Sequence, residues 1–143
     1  MSSRLWQCPV KGTDPQEAVL AGCFAPQGTG TPIVKSYSNG KFTVARASTG
    51  VYVVTLFGAT GFIMNNRSSI QIDPAAADLN LQIVSGPISN AGGRVTLTYY
   101  VQDTTTGALT DIVQPGSPTA QGSAIHFHFQ ISARGAVTSG STF

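Results

Sequence analysis

Apolar and polar residues alternate with a period of two along much of the chain, most clearly over residues 39–56 (NGKFTVARASTGVYVVTL). Phe42 and Val44 fall on one side and Thr43 and Ala45 on the other, the spacing of a β-strand. Residues 51–56 are β-branched or aromatic almost throughout. Between the two runs, Ser48-Thr49-Gly50 supplies a turn, and Gly50 can take the positive φ such turns need. The stretch predicts a β-hairpin. Further strands follow. Ile70 and Ile72 share a face in 68–73, closed by Asp73-Pro74, and Leu79, Leu81 and Ile83 share a face before Gly86-Pro87. Residues 94–102 put Val95, Leu97, Tyr99 and Val101 inward, with Thr96, Thr98 and Tyr100 outward. A short strand is expected over 108–113, then a turn-rich loop over 114–122 (QPGSPTAQG). The last strand, 124–132, sets Ile125, Phe127, Phe129 and Ile131 against His126, His128 and Gln130. About eight short strands with frequent turn signals predict an all-β fold: an antiparallel sandwich, jelly-roll-like, or a small barrel.

Residues 1–38 carry no such period. Pro9, Pro15, Pro26 and Pro32 punctuate them, with glycines between. One short helix is expected near 14–21. Asp14 can cap it, Pro15 suits its first position, Glu17 completes a capping box and Gly22 ends it. So short a helix is marginal alone and must dock. Leu5, Trp6, Val19, Leu20 and Phe24 are the groups available to dock on a partner, and 27–31 (QGTGT) reads as a linker. The expected organisation is therefore an N-terminal arm (1–38), a β domain (39–134) and a C-terminal tail (135–143).

Composition sharpens this picture. Only 10% of the 143 residues are charged, against about 25% in typical soluble domains. Ser, Thr, Asn and Gln would have to keep a monomer soluble, and burial of the surface against other chains explains the deficit more simply. The eight Lys and Arg residues are scattered, whereas nucleic-acid binding needs them clustered. The N-terminus (MSSRLWQCPVKG) lacks the apolar region of a signal peptide. The longest apolar stretch, 51–64, is broken by Thr55, Gly58, Thr60 and Gly61 and is too short to span a bilayer. A cytosolic origin is expected, with no membrane partner. There Cys8 and Cys23 are expected to be free and buried. A bond between them would close a loop of about 15 residues, worth roughly 3 kcal/mol.

Candidate chemistry is sparse. No phosphate loop, nucleophile elbow, zinc-protease motif or dinucleotide fingerprint occurs. Asp14 and Glu17 read as helix-cap groups, and Asp73, Asp78 and Asp103 as turn residues. Asp103 and Asp111 could face each other near a loop, although solvated turns account for them. Neither catalysis nor a cofactor is expected. His126 and His128 project from one strand face about 6–7 Å apart. Two imidazoles are too few for a metal site within one chain. Across a subunit axis they could hold a metal or an anion, and as half-buried contact residues they could make assembly pH-sensitive.

The hairpin over 39–56 and the closing IHFHFQI of 125–131, with short strands between, resemble β-structured virion proteins of tailed bacteriophages. Small capsid decoration (cement) proteins and tail-fibre tip domains belong to that class. The resemblance covers roughly residues 39–134. It implies a homotrimer without catalysis, made in the host cytoplasm and carried on the virion. As a cement protein the chain would bind the major capsid protein on the outer capsid surface and clamp neighbouring subunits, with Leu5, Trp6 and Phe24 as the arm's anchors. As a fibre tip or receptor-binding protein it would touch the host with loops such as 114–122. A small carbohydrate-binding β-domain is the reading from another class, with Tyr52, Tyr99 and Tyr100 as its aromatic supply. On the arm reading, removal of residues 1–31 leaves a folded remnant that no longer binds its particle.

Overall fold

The computed structural model describes residues 17–35, 42–56, 62–91, 94–117 and 122–132. These form eight strands: β1 (Glu17–Gln27), β2 (Gly30–Val34), β3 (Phe42–Ser48), β4 (Val51–Leu56), β5 (Phe62–Gln71), β6 (Leu81–Ala91), β7 (Arg94–Asp103) and β8 (Ala124–Ser132). They make two four-stranded sheets, in the orders β2-β1-β8-β5 and β3-β4-β7-β6. All the strand pairs are antiparallel. The architecture is a β-sandwich, the all-β class that the alternation implies.

The core lies between the sheets. β7 contributes Val95, Leu97, Tyr99 and Val101, all at most 1% exposed, and β4 contributes Tyr52, Val54 and Leu56. From the facing sheet come Phe24, Ile125 and Phe127. The Phe127 ring meets Phe42 edge-on at 5.0 Å and stacks on Tyr99 at 6.1 Å, while Phe24 meets Tyr52 at 5.5 Å. Each such burial is worth roughly 1.5–3 kcal/mol, more than the ~1 kcal/mol net of a ladder hydrogen bond. The inward pattern therefore fixes the register of each strand, since a one-residue slip would turn these side chains outward.

Several expectations need correction. Residues 17–21 are strand, not helix, and Asp14, Pro15 and Gln16 lie outside the described residues. β1 pairs with β2 on one side and β8 on the other. Those ladders and the burial of Phe24 outweigh the weak helical preference of a two-turn segment. The sandwich thus includes residues 17–34, and the stretch read as an arm supplies two strands. The linker 27–31 holds instead the β1–β2 turn, where Gly28 has φ 60° and Gln27 pairs with Gly30. Next, 108–113 forms no strand. It makes one bridge, Gln102↔Leu109, because its remaining bonds go to several partners. Last, Gly86-Pro87 does not end its strand. β6 runs through it with a register shift between Ser85 and Ile88, a bulge that tolerates the missing proline N–H. Leu79 precedes β6 and is 56% exposed.

Candidate functional site

Residues 104–114 close one end of the sandwich. Thr110 N donates to Val101 O of β7, and Ile112 O accepts from Gly28 N in the other sheet. Ile112 is 2% exposed and plugs the core between them. Gln114 completes the closure: its Nε2 donates to Pro26 O and Ser123 O, and its Oε1 accepts from Ser123 N.

Asp111 ties this segment to the β3–β4 turn. Arg46 Nε and Nη2 donate to the two carboxylate oxygens at 3.0 and 2.7 Å, a bidentate pair. Gly50 N donates at 2.9 Å and Tyr52 Oη at 3.5 Å. The Arg46 hydrogen bonds, above all, hold the Asp111 carboxyl below its ordinary range, against some desolvation. Asp103 serves elsewhere: its Oδ1 accepts from Thr105 N at 2.7 Å. Ala75 N and Asn80 N bond Asp73 and Asp78 in the same way. Three turn aspartates and one ion-paired aspartate do not make a paired-carboxylate site.

Burial pushes the Tyr52 phenol up to about 12, with the Asp111 charge adding to the effect. It raises Tyr99 also, against the opposing hydrogen bond to Asn66 Oδ1 at 3.1 Å. A raised phenol pKa means that the fold favours the neutral ring. The stability it gives is fully present below about pH 10 and is lost as pH rises through the folded value. For Tyr52 that is roughly 3 kcal/mol. Denaturant midpoints followed with pH are expected to fall steeply above about pH 10. Tyr52→Phe should make that fall shallower, and a midpoint unchanged from pH 8 to about pH 11.5 would contradict the assignment.

The outer face of β2-β1-β8-β5 brings the two histidines to a shallow groove of about 460 Å³. Register sets Arg67, His128 and Ala21 in one cross-strand row, and Ser69, His126 and Cys23 in the next. His128 and Arg67 are exposed and His126 is half-buried, its Nε2 2.9 Å from Gln71 Oε1. Gln71 Nε2 donates to Gly122 O, which turns Oε1 toward the imidazole and makes Nε2 the proton-bearing nitrogen. Cys23 is a buried free thiol. Burial pushes its pKa up, against a smaller lowering by Lys35. Its place opposite His126 was hidden in the sequence by about a hundred intervening residues. A thiol so raised is a poor nucleophile. Among the described residues no group of three His, Cys, Asp or Glu side chains gathers to hold a metal ion.

The other outer face, on β3-β4-β7-β6, differs in kind. Its cross-strand rows are Ala45–Val53–Thr98, Thr43–Thr55–Thr96 and Val51–Tyr100–Val84. None of these side chains is charged, and Arg94 stands at the end of β7.

Of the residues expected to anchor an arm, Phe24 is 0% exposed in the core. Val19 and Leu20 lie in β1, paired with Gln130 and Phe129. Leu5, Trp6 and Cys8 lie outside the described residues, as does the tail 135–143. Tyr52 and Tyr99 are buried, which leaves Tyr100, half-buried, of the three aromatics considered for a sugar platform. Comparison with protein-family models, with curated proteins and with solved structures finds no match.

Proposed function

We propose that this chain is a structural protein that works by self-association, a homotrimeric capsid decoration protein of a tailed bacteriophage that clamps neighbouring capsid subunits. The observation that carries the reading is the set of uncharged central rows on the outer face of β3-β4-β7-β6, with Arg94 at its margin. Thr, Val, Ala and Tyr in these rows, with no charge to desolvate, suit burial against a second copy. The 10% charged content of the chain is consistent with it. Nothing in that face depends on an arm, so burial of Phe24 leaves it intact and moves capsid anchoring to residues 1–16, which include Leu5 and Trp6. The jelly-roll description belongs to the same proposal. Pairing of β1 with β8 and of β4 with β7 folds the second half of the chain back over the first, while the β1–β2, β3–β4 and β6–β7 pairs are local.

Sedimentation of the full chain is expected to give three copies of 14.8 kDa. Val53→Lys combined with Thr98→Lys should yield a folded monomer, since each unpaired charge buried at a contact costs about 3–5 kcal/mol. A wild-type monomer at micromolar concentration would refute self-association. Copy number on a purified particle then separates the virion roles: copies in proportion to the capsid subunit mean decoration, and a few per particle mean a fibre tip.

A further inference from the structure

We propose that the groove on the outer face of β2-β1-β8-β5 binds an oxyanion, the phosphate, sulfate or carboxylate group of a small ligand. Arg67, His128, His126 and Ser69 occupy adjacent positions of two neighbouring cross-strand rows. Directly opposed residues stand about 4.5–5.5 Å apart at Cβ, and those two apart on a strand about 6–7 Å, so their polar ends can converge on one group. Every ionisable side chain among the four is basic, and Ser69 adds a hydroxyl donor. Ala21 and Gly22, both small, line the groove along β1 and leave room above them. Lys35 lies beyond, its N–H bonded to Cys23 O. Among the described residues no Asp or Glu lines the groove; Glu17 pairs with Ser132, four residues along β8 from His128, and Asp73 lies two residues past the end of β5.

Arg67 decides the sign of the ligand. A guanidinium is always charged and repels a cation at the imidazole opposite it, whereas it meets an oxyanion with a planar pair of donors. Gln71 fixes the ring of His126: its Oε1 accepts from Nε2, so the imidazole is held in place beside Ser69 in the row.

Titration of the full chain by calorimetry, with inorganic phosphate and with glucuronate as probes and glucose as the neutral control, tests the site. Both anions should bind and glucose should not. Phosphate preferred over glucuronate assigns a phosphate-type ligand, and the reverse a carboxylate. Arg67→Gln, an exposed change, should weaken binding about tenfold with an unaltered melting temperature. His128→Asn should weaken binding as well. Binding of anions unchanged by either substitution, or no binding, overturns the proposal. So does zinc binding that strengthens in Arg67→Gln, which would make the pair a cation site. These outcomes are independent of the oligomeric state, which sedimentation reads separately.

Discussion

Gly50→Ala is expected to lower the melting temperature by about 10–15 °C, the loss of roughly 3–4 kcal/mol. Gly50 has φ 68°, a conformation that costs an L-residue roughly 1–2 kcal/mol. A Cβ there would stand 2.8 Å from Thr110 N, Thr110 O and Val101 O. These are backbone atoms in a hydrogen-bonded ladder and cannot rotate aside as a side-chain tip could. The same residue donates its N–H to Asp111 and accepts from Val101 N. Any shift that relieves the clash therefore pulls on the Arg46–Asp111 pair and on Ile112, and opens the end of the sandwich. Gly107 provides the control. It too has positive φ, 75°, but a Cβ there meets nothing within 4 Å, so Gly107→Ala should cost only the backbone term of about 1–2 kcal/mol. Thermal unfolding by circular dichroism reads both, and equal losses would place the cost in backbone strain alone.

How much of this was legible in the sequence depends on how each strand is buried. β7 has one face in the core and one outside, so its alternation appears in the letters and its inward residues, Val95, Leu97, Tyr99 and Val101, are those expected. β1 hides because residues 22–26 are buried without alternation. Gly22 is small because the Phe127 and Phe42 rings lie where a Cβ would go, at 2.5 and 2.8 Å. Small residues needed for packing against rings thus look like those of a helix or a loop. The stretch 108–113 misleads in the opposite way. Leu109 and Ile112 resemble strand residues, yet the hydrogen bonds of this segment are divided between two sheets. Of the candidate surfaces, the His126/His128 face could be read from spacing within one strand. Arg67 and Cys23 could not, since pairing across three strands is a property of the fold. Charge deficit was visible as a number, but which rows of β3-β4-β7-β6 are free of charge needed the register.

Removing residues 1–31 is expected to abolish folding, where the arm reading expected a folded remnant. That deletion takes away β1, which stands between β2 and β8 and pairs with β8 from Glu17↔Ser132 to Phe24↔Ile125. It also removes Phe24, whose truncation alone would cost about 3–5 kcal/mol. Loss of the ladder and of the Gly28 and Pro26 contacts to residues 112–114 adds to this. A domain has only about 5–15 kcal/mol to lose. The remnant should show collapsed amide dispersion by NMR, and a well-dispersed spectrum would show that β1 is dispensable. Removing residues 1–16 spares the eight strands and the core of the described residues, so that product should fold and keep its oligomeric state. The shorter deletion, and not the longer one, can test capsid anchoring. It separates a segment holding Leu5 and Trp6 from the sandwich that carries the uncharged face. If the shortened chain still binds particles as the full chain does, the sandwich itself makes the capsid contact, and residues 1–16 have no part in it.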